Sequence, residues 1–299
     1  MDNTQKAFLQ LHVAVILFGF TAILGDLISL PALILVWWRV LITSISLFFL
    51  IGFGKKLKAI PRKRILQFMG IGVLVALHWI CFFGSVKYAN ASVCLVCFAT
   101  TSFFTALLEP IFTKKSFKWY EMSLGIIVIP GMILIVNNID LSMILGVWIG
   151  LAAAFLASLF AIFNKQLVNE ADSFSITFLE LGSGWLFISL ILPFYLINAE
   201  NATFFPNLED LGYLLVLALL CTTFAYVIAL HALKYVTAFA ANLTLSLEPV
   251  YGIILAVLIL KENKELDLGF YSGSALILLS VLIYPMIKKY FEKPSFDKN

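Results

Sequence analysis

Apolar run follows apolar run along this chain, each near the length of one bilayer crossing, with only brief polar connections between them. A crossing helix needs about 20 mainly apolar residues. Ten such runs can be delimited: Ala7–Leu24, Pro31–Phe53, Ile65–Gly84, Ala91–Phe112, Tyr120–Val136, Met143–Phe163, Phe174–Ile197, Leu211–Ala232, Ala238–Leu260 and Leu268–Ile287. The composition leaves no alternative solvent for them. The chain is 62% hydrophobic and only 12% charged, against about 25% charged in a soluble domain, and its mean hydropathy is +1.02. Lipid must bathe much of the surface. Within lipid every backbone amide and carbonyl has to be satisfied by the chain itself, which favours helices. The expected fold is an all-α polytopic membrane protein with ten transmembrane helices. No connection is long enough for a soluble domain.

Charge gives the orientation. With the N-terminus in the cytoplasm, sixteen Lys and Arg fall on the cytoplasmic side and three (Lys87, Lys261, Lys264) on the other, while Arg39 lies within a span. This positive-inside bias and the even number of spans both place the two termini in the cytoplasm, as expected for a multi-pass protein of the cytoplasmic (plasma or inner) membrane. Lys6 precedes the first run and no small-x-small cleavage site follows it, so that run reads as a retained helix. Cys81, Cys94, Cys97 and Cys221 all lie inside apolar runs. Cys94-x-x-Cys97 has no second pair or neighbouring histidine to complete a zinc site. No metal or cofactor is expected.

The two halves of the chain resemble each other. "GSVKYANASVCLVCFATTSFFTALL", Gly84 to Leu108, aligns with "HALKYVTAFAANLTLSLEPVYGIIL", His231 to Leu255, so that Lys87-Tyr88 and Lys234-Tyr235 coincide at an offset of 147. A weaker echo between Leu33–Leu41 and Phe174–Leu181 sets Arg39 opposite Glu180. A five-span repeat is odd-numbered, so its second copy runs inverted through the membrane. Secondary transporters recurrently use this plan, with the substrate site near the midplane between the repeats. The expected units are residues 1–140 and 141–299, packed around a central cavity.

Several polar residues lie deep in the apolar runs, where an ionisable group costs about 2.5–3.5 kcal/mol on insertion scales. Glu248 is about eleven residues, or roughly 16 Å, into its span. Pro249 follows it, takes one amide out of the helix and should act as a hinge. Thr244, Glu248 and Tyr251 share a face by helical spacing, with Asn242 and Ser246 on the adjacent stripe. Two readings of Glu248 stay open: a cavity carboxylate that binds a cationic group or exchanges a proton, and a structural group that fixes the bend. Arg39 stays charged and needs an anionic partner, carbonyls or water, as structural anchor or as ligand for a substrate carboxylate. A direct Arg39–Glu180 pair is disfavoured, because inverted symmetry puts them in opposite halves of the membrane. His78, beside Trp79, can titrate near neutral pH, so Glu248 and His78 are the proton-coupling candidates. Thr101, Glu180 and Tyr226 complete the candidate cavity set. Glu109, His12 and His231 read as interfacial, and Glu262 as solvated.

"SLEPVYGIILAVLILKE", Ser246 to Glu262, resembles the Leu-Glu-Pro-Val…Glu signature of the ninth helix in the EamA family of the drug/metabolite transporter superfamily. Ten spans, paired repeats and an Arg in the second span extend the resemblance over nearly the whole chain. It implies a bundle in which helices 1–4 and 6–9 line the cavity while 5 and 10 are peripheral. Ser102 stands where the family often has proline, and Lys114 or Lys115 where it often has an acidic residue. The implied activity is secondary transport of a small metabolite, an amino acid or related compound, with export favoured. The coupling would be to protons or to exchange, by alternating access. A channel or passive facilitator is the alternative. An enzyme is not expected: the chain has no HExxH, no GxSxG and no Walker motif. Expected partners are a small-molecule substrate, the lipid bilayer and a second copy as homodimer, but no nucleic acid.

Overall fold

The computed structural model describes residues 2–52, 55–114, 116–136, 140–199, 202–245, 247–261 and 268–291. Ser246, Glu262, Lys115, Lys264, Lys293 and Lys298 lie outside them. Among the described residues every regular element is helical. In order these are α1 (Asn3–Leu27), α2 (Ala32–Leu50), α3 (Arg62–Tyr88), α4 (Ala91–Ala99), α5 (Thr101–Thr113), α6 (Trp119–Val136), α7 (Ile144–Leu167), α8 (Ser173–Asn198), α9 (Leu208–Leu215), α10 (Ala225–Ala232), α11 (Ala238–Leu245), α12 (Glu248–Leu255) and α13 (Leu268–Phe291). A π-helical stretch, Val216–Phe224, joins α9 to α10, and another, Ala256–Leu260, extends α12.

Helix starts follow from local chemistry. Asp2 and Gln5 form a capping box on α1, each side chain bonding the other's amide at 2.7 and 3.1 Å. Pro31 and Pro61 precede α2 and α3. Asn90, Asp172 and Asn207 cap α4, α8 and α9 by accepting the amide three residues on. Seven helical stretches among the described residues are long and apolar enough to cross a membrane: α1, α2, α3, Ala91–Thr113, Leu141–Leu167, α8 and Leu208–Ala232. The remaining three expected runs are also helical, as α6, α11–α12 and α13. Leu66, Leu190, Phe194 and Leu258 are each about 70% exposed, at 68, 72, 71 and 71%. So much bare hydrocarbon is stable only against lipid.

The helix pairings echo the repeat. Counting five helices per half, α1 packs on α10 as α7 packs on α3, and α1 packs on α11 and α12 as α7 packs on α4 and α5. α2 packs on the π stretch of the eighth helix as α8 packs on α3. Three pairings map onto themselves: α2 with α8, α6 with α13, and the broken helices α4–α5 with α11–α12.

Local conformation repeats too. The fourth helix breaks at Thr100 and the ninth at Leu247, positions 147 apart. The non-glycine residues with positive φ among those described are Lys114 (φ 56) and Lys261 (φ 61), again 147 apart and each ending one of these helices. In the ninth helix Pro249 accounts for the break. In the fourth, a run of hydroxyls replaces it. Thr100, Thr101 and Ser102 each bond the carbonyl three residues back, at 2.7, 2.6 and 3.3 Å, competing with the helical amides for those acceptors. Asn242 Nδ2 then donates to Thr105 Oγ1 at 2.8 Å, tying α11 to α5.

Candidate functional site

A cavity of about 100 Å³ lies where these elements converge, bounded by α1, α2, α3, α4, α7, α10, α11 and the first residue of α12. One water needs roughly 10–15 Å³ of such space, so it has room for several. The broken ninth helix supplies its carboxylate. Glu248 is 3% exposed yet lines the cavity, because α12 restarts there with Pro249 in its first turn. Among the described residues its carboxyl has no hydrogen bond and no ion pair; the two ion pairs found, Lys56–Asp172 and Arg64–Glu170, lie elsewhere. Glu248 and Arg39 interact electrostatically through space.

Arg39 is held in place by its own neighbours on α2. Trp37 Nε1 donates to Ser189 Oγ on α8 and Trp38 Nε1 to the Phe204 carbonyl, both at 2.8 Å, which fixes the rotation of the helix. The guanidinium, 2% exposed, lies 4.0 Å from the Trp79 ring centroid and 5.3 Å from that of Phe83. Such cation–π contacts stabilise a desolvated cation by about 2 kcal/mol. Its Nε donates to Thr222 Oγ1 at 2.7 Å. Thr222 belongs to the π stretch, whose wider turn leaves carbonyls for side chains. Thr222 and Thr223 bond the carbonyls five residues back, and Thr43 reaches the Ala218 carbonyl from α2 at 3.0 Å.

His78 lines the cavity with Nδ1 2.8 Å from the Ala153 carbonyl on α7. A carbonyl only accepts, so Nδ1 carries the hydrogen and, in the neutral ring, Nε2 is the acceptor. Phe82, Phe98 and Phe160 surround the imidazole at 5.4–6.1 Å between ring centroids.

Glu180 sits one layer back, fully buried on α8 and not among the lining residues. Its Oε2 accepts from Tyr226 Oη at 2.7 Å and Asn164 Nδ2 at 3.3 Å, and both donors face the cavity. Among the described residues Glu180 Oε1 and Asn164 Oδ1 have no hydrogen-bond partner.

The structure therefore brings Arg39, His78, Trp79, Tyr226, Asn242 and Glu248 to one cavity. Three other candidates do not line it. The Thr101 and Thr244 hydroxyls turn onto the Phe98 and Ala240 carbonyls of their own helices. Tyr251 is 38% exposed and packs by Gly19 of α1. The face expected from Thr244 through Tyr251 is not continuous, because the break at Leu247 resets the helical register. Glu109, near the end of α5, is 7% exposed. Asn164, Phe160 and Thr222 were missed. Asn164 falls one residue beyond the apolar run that ends at Phe163, and nothing in "CTTF" announces a π turn.

The EamA-like transporter family matches residues 5–137 and again residues 144–284. A Bacillus subtilis protein described as the uncharacterized transporter YxxF is 22% identical over 296 residues, covering 93% of this chain and 92% of its own. An uncharacterized transporter of Clostridium kluyveri is 22% identical over 213 residues, 69% of this chain and 67% of its own. A solved crystal structure superposes with a TM-score of 0.68 at 13% identity, over 97% of this chain and 99% of that one, and so shares the fold. With two matches spanning nearly its whole length, this multi-pass membrane chain belongs to the EamA-like transporter family.

Proposed function

We propose that the protein is a secondary transporter that moves a small metabolite of the amino-acid class across the cytoplasmic membrane by alternating access. In this reading ten helices span the bilayer in two inverted units, residues 1–140 and 141–299, with both termini in the cytoplasm. The observation that carries it is the cavity itself. A cation (Arg39) and an unpaired carboxyl (Glu248) face one small, aromatic-walled space between the halves of the chain. Two opposite charges kept apart inside a membrane are costly, and a solute with a carboxylate at one end and an ammonium at the other would complete both. His78 and Glu248 are the groups placed to exchange a proton with that solute. The membrane potential supplies about 2.3 kcal/mol per charge per 100 mV.

A thermal-stability screen of the purified protein across amino acids, purines and sugars identifies the ligand class. Amino acids should raise the melting temperature, and Glu248→Gln should abolish the shift. Flux of the ligand into sealed vesicles then tests the mechanism. Saturable uptake that accelerates with solute on the far side is the carrier outcome. Uptake without such trans-stimulation refutes alternating access in favour of a facilitated pore.

A further inference from the structure

The repeated Lys-Tyr motif has no place in the cavity, yet both of its lysines are engaged, at opposite ends of the bundle. Lys87, at the end of α3, donates to the carbonyls of Asp26 and Ile28 at 3.3 and 2.5 Å. Asp26 is in the last turn of α1 and Ile28 opens the turn to α2. The next residue in the turn, Ser29, gives both its amide and its hydroxyl to the two carboxylate oxygens of Asp210, at 2.8 and 2.6 Å. Asp210 is the third residue of α9, in the other half of the chain, and it is 3% exposed.

At the other end the roles recur with the halves exchanged. Lys234, after α10, donates to the Ala171 carbonyl in the turn between α7 and α8 at 3.3 Å. The neighbouring Glu170 pairs with Arg64 at 2.9 Å. Arg64 is the third residue of α3, in the first half of the chain. Glu170 stands 141 residues after Ser29, the same offset that relates Glu180 to Arg39, and Lys234 stands 147 after Lys87. In each assembly a lysine of the same half holds the turn, and the third residue of a helix from the opposite half captures it. The chemistry is inverted: serine to aspartate at one end, glutamate to arginine at the other.

We propose that these two captured turns are the outer and inner gates of the carrier, with Asp210 and Glu170 as the gate residues that join one half to the other. The inference rests on the alternating-access reading. Each bridge crosses between the halves on one face only, so releasing Ser29 from Asp210 frees the halves to separate outside while Glu170 and Arg64 keep them together inside, and the converse. Both bridges are formed in this structure. Among the described residues the lysines' hydrogen bonds stay within their own half, and they act as positioning residues that present the turn to its captor.

The test uses a cavity thiol. Ala241, buried and lining the cavity, is replaced by cysteine in the full-length chain, with the parent protein as background for the native cysteines. Its reaction with a small membrane-impermeant methanethiosulfonate is timed from outside, in intact cells, and from inside, in inverted vesicles. Asp210→Asn should raise the outside rate about tenfold, equivalent to about 1.4 kcal/mol of lost bridge, without raising the inside rate. Glu170→Gln should do the mirror image. Lys87→Met and Lys234→Met should follow the gate residue at their own end, which provides a second pair should either isosteric variant express poorly. Rates that rise from the same side in both gate variants, or that stay at the parent values, overturn the gates and leave the carrier standing. A thiol inert from both faces in every variant overturns the carrier reading itself, and the gates with it.

Discussion

Gly72 is the position where the packing argument can be tested hardest. It lies where α3 crosses α8, and a methyl added there would sit 2.0 Å from the Glu180 carbonyl oxygen, 2.2 Å from Ser183 Oγ and 2.7 Å from the Glu180 carbonyl carbon. Carbon and oxygen normally approach no closer than about 3.3 Å, so the two backbones must part by more than an ångström. Rotamer changes could move Ser183 but not the Glu180 backbone. Overpacking typically costs about 1–3 kcal/mol, and a backbone clash belongs at the upper end. Alanine returns about 0.5–1 kcal/mol through helix propensity. The net expectation for Gly72→Ala is a loss of about 2 kcal/mol. Gly70 on the same helix and Gly182 on α8 have no atom within 4 Å of an added methyl, so Gly70→Ala and Gly182→Ala should be neutral or stabilising by up to about 1 kcal/mol. Reversible unfolding in mixed micelles, followed by circular dichroism, measures all three. Gly72→Ala as stable as Gly70→Ala would refute the close crossing, and with it the placement of Glu180 against α3.

The same assay reads three further substitutions. Tyr226→Phe removes the 2.7 Å donor from Glu180 Oε2 and should cost about 1–3 kcal/mol; wild-type stability would mean the carboxyl does not depend on that bond. Thr222→Val keeps the shape but leaves Arg39 Nε without its acceptor, an expected loss of about 1.5–3 kcal/mol, and no loss would mean the Trp79 stack alone holds the guanidinium. Ser102→Pro puts proline at the second position of α5, where an amide is free in any helix. It should cost well under the about 3 kcal/mol of an interior proline, which Leu186→Pro in mid-α8 supplies as the comparison, and equal losses would contradict the break at Thr100.

The apolar runs made the helices legible, because lipid leaves an apolar segment few other forms. The offset of 147 was legible as well, and it recurs in features that spelling does not show: the breaks at Thr100 and Leu247, and the left-handed ends at Lys114 and Lys261. The first of those breaks was not foreseen, since a proline announces itself whereas three hydroxyls bonding back onto a helix look like any polar patch. Arg39, Trp79 and Glu248 were found because buried charge and its aromatic cover are rare enough in lipid to be conspicuous. Tyr251 and Thr244 were misplaced by extending one helical register across Leu247. Asn164 was hidden by its position at the edge of an apolar run. Glu180 was found but its depth was not, as only the packing of α8 behind Tyr226 and Asn164 sets it back from the cavity.

The two broken helices are finished differently. In the fourth, the carbonyls of Cys97, Phe98 and Ala99 are each engaged by a hydroxyl of the chain. In the ninth, the residue at the equivalent place is a carboxylate left facing the cavity. Architecture that is twofold thus ends in chemistry that is one-sided. In the proposed binding mode a guest's cationic end would meet this carboxylate in the second half and its carboxylate end Arg39 in the first, so the two walls would hold unlike ends of it and exchanging their roles would not return an equivalent arrangement. If the protein is a carrier of the proposed kind, its inward and outward poses would therefore differ in energy even with nothing bound.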